Sequence, residues 1–457
     1  MIKKDNNFNT IKIKKGLNIP ISGEAEKVIL KSELSCAYAL KPVDFFGVIP
    51  KLFVDINTRV KAGSCLFIDK NNPRVKFTSP VSGIVKEINR GEKRQILEIV
   101  IEPDKEIEYE RFLIKDIEKI TRDEIVDTLL NSGLWVAIRQ RPFDIIANPD
   151  DKPREIFISA YDTAPLAPDY DFILSNYFNE FQSGINILKK LTDGKIHLAI
   201  NGTIPVLPFY QKLINVEIHR IIGKHPVGNV GVQIHHINPI NKGEVVWHVN
   251  PQHVVQIGNL FLKGIYEATK IIALTGSEVI KPVYYKIIAG ASIKELIENN
   301  IKSEKVRYIS GNVLTGRKIY KNGFIGFYDS QITIIPEGNY YEFMGWLSPG
   351  FKKYSFHKVF LSSILPRKKK YNFDTNMHGG ERPFVMTGIY EKVFPMDILP
   401  VQLAKSILAS DIDMMEKLGI YEVAPEDFAL CEFICPSKIN FQEIIRNGIL
   451  LMLKELK

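Results

Sequence analysis

From Glu155 to Tyr266, apolar runs of strand length alternate with amphipathic stretches of helix length, and few folds can accommodate that rhythm. Ile156–Ala160, Lys195–Ile200, Val216–Ile222 and Glu244–Val249 read as strands, and Phe178–Leu191 and Gln252–Tyr266 read as helices. Strands separated by helices pair in parallel, because each helix carries the chain back across one face of the sheet. A further helix is expected from Thr121 to Ser132. Thr121 and Glu124 form a capping-box pattern, Ile125, Leu129 and Leu130 give one apolar face, and Gly133 suits the C-terminal cap. These signals predict a Rossmann-like α/β unit over residues 104–270.

At 457 residues the chain is too long for one core, and its flanks have different rhythms. Residues 11–103 alternate short β runs with Gly, Pro and Asn turns, and Gly63 and Gly83 fall where tight turns need positive φ. The pattern resembles the barrel-sandwich hybrid of lipoyl and biotinyl carrier domains. A carrier needs a lysine at a hairpin tip; Lys70 lies before the turn at Asn71-Asn72-Pro73, so an unmodified strand-end lysine is the favoured reading. Residues 271–350 suggest a small β-grasp (SLBB-like) domain, with strands near Ile271–Leu274, Tyr284–Ile288, Val306–Ile309 and Phe324–Phe327 and a short helix at Ile293–Asn299. Residues 351–457 read as a polar, basic linker and then helices at Asp397–Ala409, Asp411–Leu418 and Asn440–Leu456. The expected class is multidomain α/β.

Charge and composition exclude several functions. No stretch approaches the roughly 18–20 apolar residues of a membrane-spanning helix. The polar start MIKKDNNFNT has no apolar signal region, so a cytoplasmic protein with reduced thiols is expected. The net charge of +8 is densest at Arg367-Lys368-Lys369-Lys370. That run is either a solvated loop or an attraction to an anionic membrane face. Nucleic-acid binding fits less well, since no zinc-finger spacing or RNP-type strand accompanies the charge. Cys36, Cys65, Cys431 and Cys435 are too scattered for a disulfide framework. The histidines form no recognised metal spacing; His197 and His219 fall inside strands, while His225 and His236 are candidates for lining a cleft at the strand ends. No nucleophile–base arrangement is present, so no catalytic residue and no metal site are expected.

Eight stretches in order carry a family resemblance. They are Lys14–Gly23 (KKGLNIPISG), Pro73–Gly83 (PRVKFTSPVSG), Gly133–Pro142 (GLWVAIRQRP), Asp162–Ala167 (DTAPLA), His225–Gly228 (HPVG), Met377–Arg382 (MHGGER), Pro395–Pro400 (PMDILP) and Cys431–Pro436 (CEFICP). Over nearly its whole length the chain resembles the A-subunit family of sodium-translocating NADH:quinone oxidoreductases. Its central and C-terminal parts also resemble the flavin-binding subunit of respiratory complex I and the C subunit of Rnf complexes. The resemblance implies a peripheral subunit on the cytoplasmic side of the bacterial inner membrane. Its partners would be the other subunits, including membrane-embedded ones, with flavins and iron–sulfur centres in those partners and ubiquinone as a possible substrate.

Where the flavin-binding relatives hold a phosphate on a glycine-rich loop, this chain has Trp135, Val136, Ile138, Arg139 and Arg141 after the one remaining glycine, Gly133. Backbone N–H groups reach a phosphate only past small residues, so the implied role is structural, with no cofactor bound by this chain. Arg139 and Arg141 remain candidates for pairing with an anion or with acidic groups on another subunit, or are surface charges beside Pro142. Cys431 and Cys435 are too few for a [4Fe–4S] cluster and are expected as packed remnants. Quinone or partner contacts are assigned, as expectations, to Trp135, Arg139, Arg141, His225, Trp346 and His378. Three rival readings are a carrier modified at Lys70, a basic nucleic-acid-binding module, and an FMN- or NADH-binding subunit for electron transfer.

Overall fold

The expected strand–helix alternation forms one mixed sheet in a computed structural model. The structure describes residues 2–5, 8–113, 115–345, 347–364, 370–385 and 388–455. The sheet has eight strands in the order Ile2–Asp5, Phe8–Lys12, Glu217–Ile222, Ile196–Asn201, Ile156–Ser159, Val246–Val249, Ile138–Arg141 and Ile145–Ile146. Its five middle strands, Phe8–Lys12 through Val246–Val249, are parallel. Ile138–Arg141 runs antiparallel to Val246–Val249. The Phe8–Lys12 strand therefore belongs to the α/β sheet. The helices Phe178–Lys189 and Pro251–Lys263 pack closely on one another. An added Cβ at Gly258 would lie 1.8 Å from the Glu180 carbonyl oxygen, so only glycine allows that crossing.

Residues 38–103 build two small sheets. One contains Tyr38–Leu40, Ile96–Pro103, Gly83–Arg90 and Arg59–Val60; the other contains Pro50–Leu52, Cys65–Asp69 and Lys76–Thr78. Leu66, Phe67, Phe77, Val81, Val85, Ile99 and Ile101 fill the space between them. Gly63 sits at φ +99°, as a left-handed turn requires. Gly83, at +157°, is near-extended; its need is space, because a Cβ there would meet the Glu102 carbonyl oxygen at 2.0 Å. Lys70 is exposed directly after its strand, and its amide donates to the Ile49 carbonyl at 2.8 Å.

The third region is a six-stranded sheet in the order Arg317–Ile319, Val306–Ser310, Gln331–Pro336, Thr269–Thr275, Val283–Ile288 and Glu26–Lys31. The last strand comes from the N-terminal part of the chain. Phe324–Phe327, expected as a strand, is a loop whose one bridge links Phe324 to Ser292. Its apolar residues are buried by packing rather than pairing, with Phe327 at 5.1 Å from the Phe45 ring and 5.2 Å from His253. The strand that does form is Gln331–Pro336. The C-terminal helices Pro400–Leu408, Ile412–Lys417, Ala429–Ile434 and Phe441–Glu455 share a core with Ile11, Ala199, Ile221 and Val232 of the α/β unit. Ala429–Ile434 was not expected as a helix.

The Arg122–Ser132 helix forms with its capping box and ends on Gly133 at φ +75°. A Cβ at Gly133 would also meet the Thr78 hydroxyl at 2.2 Å, so this glycine lets the helix end abut the barrel. Gly133→Ala is expected to lose about 2–4 kcal/mol from left-handed strain and overpacking together. A urea unfolding curve that leaves the midpoint unmoved would show that the barrel shifts freely.

Candidate functional site

The order of the parallel strands reverses beside Ile156–Ser159. The chain proceeds from it to Ile196–Asn201 on one side and later returns to Val246–Val249 on the other. Such a switch point splays the connecting loops and leaves a crevice at the strand C-termini. Here the crevice is a cleft of ≈ 360 Å³ to which every region contributes. Phe46 comes from the barrel, His225 and Asn250 from the α/β unit, Tyr328 from the third region and Arg446 from the last helix.

Asn250 follows the Val246–Val249 strand and caps the next helix, accepting from the Gln252 amide at 3.0 Å. Its side-chain amide donates to the Tyr170 hydroxyl at 2.8 Å. Asp162 lines the cleft with its carboxylate accepting from the Ala164 amide at 2.8 Å; burial pushes its pKa up. His225 is buried, with Nδ1 at 3.2 Å from the Thr163 hydroxyl and Nε2 without a protein partner. Burial lowers its pKa to about 4. His253 is likewise buried, with Nδ1 unpaired, and burial together with the Lys270 and Arg139 charges pushes it down to about 3. Both imidazoles are therefore neutral near pH 7 and can donate or accept. Tyr328 donates its hydroxyl to the Val136 carbonyl at 2.7 Å and offers its ring to the Arg139 guanidinium at 4.8 Å.

Behind this wall lies an ion network. Arg141 is wholly buried. Its guanidinium lies 3.6 Å from Asp144, 3.2 Å from Glu426 and 3.7 Å from Asp427. Arg139 also pairs with Asp144, which accepts from or shares a proton with His248 Nε2 at 3.0 Å. Burial opposes ionisation of Asp144, but the Arg139 and Arg141 charges outweigh it and hold the carboxyl well below its ordinary range. Burial and the neighbouring Asp427 push Glu426 up to about 7. Gly231 leaves room for this cluster, since a Cβ there would meet the Asp427 carboxylate at 2.7 Å. Arg141 is thus no surface charge, and its acidic partners belong to this chain.

The other expected residues scatter. Trp135 lies in the short turn Leu134–Ala137, wholly buried. Its indole donates to the Ala147 carbonyl at 2.7 Å and meets Trp247 edge-on at 5.4 Å. The nearby amides are engaged too: Gly133 with the Leu130 carbonyl, Leu134 with the Ser132 hydroxyl and Ile138 with the Trp135 carbonyl. Buried side chains fill this turn. Of the candidates, Arg139 and His225 line the cleft; Trp135 does not, and Arg141 reaches it only through the lining residues Asp144 and Glu426. His378 is exposed and 3.5 Å from Asp374, away from the cleft lining, and Trp346 lies outside the described residues. His236 bonds the Pro395 carbonyl at 3.0 Å and does not line the cleft.

His197 and His219 do sit inside strands, within reach of Glu217 as a possible ligand set. The two rings bond each other at 2.9 Å, and Glu217 is held by Lys195 at 2.8 Å and Asn9 at 3.1 Å. Cys431 and Cys435 are buried, the latter with its sulfur 3.1 Å from the Tyr390 hydroxyl. The sequence reading missed Asn250, Asp162, Tyr328, Arg446 and His253 as cleft residues. The Asn250-Pro251 pair, a helix-start signal at a strand end, would have marked Asn250.

Three family models match the chain: the NqrA N-terminal barrel-sandwich hybrid domain over residues 11–104, the NqrA second alpha/beta domain over 120–266 and the NQRA C-terminal domain over 271–321. Among curated relatives, the A subunit of the Na(+)-translocating NADH-quinone reductase of Hahella chejuensis is 39% identical over 97% of this chain and 100% of its own length. The corresponding protein of Yersinia pseudotuberculosis is 39% identical over 96% of this chain and 98% of its own. That of Pasteurella multocida is 37% identical over the same shares, 96% and 98%.

Two outcomes follow from the buried charges. Arg141→Met strands Glu426 and Asp427, leaves Asp144 with Arg139 as its remaining cation, and is expected to cost about 3–5 kcal/mol in stability. It should also loosen the C-terminal helices to limited proteolysis; unchanged protease resistance would deny the network its tethering role. His225, neutral when folded and with an ordinary pKa of 6.5, contributes fully above pH 6.5, and that contribution fades as pH falls toward 4. Across that window His225→Asn should remove about 2–3 kcal/mol of the acid-side loss of stability, read from urea midpoints at each pH; parallel pH profiles for the two proteins would count against it.

Proposed function

This chain belongs to the A-subunit family of the Na(+)-translocating NADH-quinone reductase, and from that membership we propose that it is the component of such an oxidoreductase that assembles and shapes the complex without carrying its own redox centre. The observation behind this reading is the filled turn at Trp135, where bulky side chains and engaged amides replace an open phosphate cradle. The complex would oxidise NADH, reduce ubiquinone and export sodium, with its flavins and iron–sulfur centres in partner subunits.

Among the described residues no helix is long and apolar enough to cross a membrane. Attachment to membrane-embedded subunits on the cytoplasmic side of the inner membrane accords with that. The finer fold assignments follow the same line. The parallel strands with their switch point support a Rossmann-like unit, and the pairing of Thr269–Thr275 with Gln331–Pro336 in parallel supports a β-grasp module.

The cleft at the switch point is the place we assign to a ubiquinone headgroup. A quinone site needs flat apolar walls and one or two donors. Phe143, Phe327 and Tyr328 supply the walls, and Arg139 and Asn250 supply donors at the rim.

Photocrosslinking of the assembled complex with a reactive quinone should label peptides around Arg139–Ile146 or Gly326–Gln331. Labels confined to membrane subunits would remove the quinone assignment. Arg139→Gln is expected to raise the quinone KM roughly tenfold at little cost to kcat, the effect of losing one charged hydrogen bond. The purified chain should be colourless, and stoichiometric flavin absorbance in it would refute the absence of a redox centre.

A further inference from the structure

The loop between Gly338 and Asn376 is not a slack linker. Its base is laced by Gly338 N–H to the Thr375 hydroxyl at 2.7 Å, Asn339 N–H to the Asn376 side chain at 2.8 Å, and the Tyr340 hydroxyl to Asp374 at 2.6 Å. Tyr371 ties its far arm to Pro20 through a backbone bond of 2.7 Å. Within it, Leu361 N–H reaches the Pro349 carbonyl at 3.0 Å, and Lys353 N–H reaches that of Gly350 at 3.0 Å. Gly350 sits against the Phe360 ring, which a Cβ would meet at 2.3 Å. These bonds tie the described residues of the loop to one another and to its base.

This loop turns its apolar side chains outward. Tyr341 is fully exposed, Phe343 is 93% and Ile364 80% exposed, and Leu347, Phe351 and Val359 are exposed as well. An ordered loop that holds so much apolar surface in water marks a contact site. Charge identifies the partner. From Gly338 to Lys370 the sequence holds seven lysines and arginines against the one acidic residue Glu342, so this stretch carries six of the chain's eight net positive charges. Lys352 and Lys358 stand exposed among the apolar residues. Protein–protein interfaces enrich aromatics but deplete lysine. Aromatic side chains interleaved with lysine match the headgroup layer of an anionic bilayer, where the rings enter the interface and each basic residue near the surface adds attraction.

We propose that the described part of the Gly338–Lys370 loop is a membrane-contact platform: Tyr341, Phe343 and Ile364 insert into the headgroup region of an anionic lipid surface, and Lys352 and Lys358 pair with its phosphates. The proposal deepens the reading of this chain as a peripheral subunit of a membrane complex and rests on it for its setting.

The test is flotation of the purified full-length chain with phosphatidylcholine vesicles and with phosphatidylcholine–phosphatidylglycerol vesicles. Binding is expected to the anionic vesicles alone and to weaken with added salt. It should fall about tenfold or more in Tyr341→Ser/Phe343→Ser and in Lys352→Glu/Lys358→Glu. These side chains are exposed, so an unchanged melting temperature verifies that each variant is folded. Binding to neither vesicle, or binding that both variants leave intact, overturns the proposal. So does a photoreactive residue placed at 343 that labels a protein subunit rather than lipid in the complex. Any of these outcomes in a chain that still enters the complex leaves its role as a component of that complex standing; a chain that never assembles with the other subunits sinks that role instead.

Discussion

A buried guanidinium holds this molecule's two halves in register. Arg141 ends the Ile138–Arg141 strand and faces Glu426 and Asp427, nearly three hundred residues later, at the start of the last helices. Neither side tolerates the other's absence. A lone buried arginine or a lone pair of buried carboxylates carries a desolvation cost of several kcal/mol that only the opposite charge offsets. Arg139, Asp144 and His248 extend the cluster to the cleft rim, so the same electrostatics that dock the C-terminal helices also shape one wall of the cleft. Hydrophobic burial makes that docking strong; the ion network gives it one geometry.

The turn after the Arg122–Ser132 helix is a packing device. Gly133 ends a helix and lets the barrel approach. Trp135 and Trp247, meeting edge to face, occupy the volume next to it. Such a pair adds packing energy beyond the area it buries, so the space is part of the core. The open recess is the cleft at the strand ends, where four regions converge around neutral histidines and aromatic rings.

That convergence explains how the chain combines a rigid body with surfaces meant for others. The barrel, the α/β unit and the third region share one continuous core. Strands cross between them: Phe8–Lys12 lies in the α/β sheet and Glu26–Lys31 in the third, although both precede the barrel. A chain threaded this way cannot splay its units apart without breaking sheet pairing. Motion is left to loops, and the Gly338–Asn376 loop is itself laced at its base.

The sequence by itself determined local character. The capping box at Thr121, the helix stop at Gly133 and the parallel α/β run were legible because each rests on residues a few positions apart, where φ preference, side-chain capping and hydrophobic period act directly. His225 was legible as a cleft residue for the same reason, since strand C-termini in an α/β pattern predict where a crevice opens. Only tertiary structure decided the rest. Phe324–Phe327 has the composition of a strand, yet its burial comes from Phe45 and His253, and Gln331–Pro336 takes the sheet position instead. Arg141 read as a surface charge or as a partner for an anion or another subunit's acidic groups, because its partners Glu426 and Asp427 are nearly three hundred residues away, and Coulomb attraction depends on distance in space, which sequence spacing does not encode.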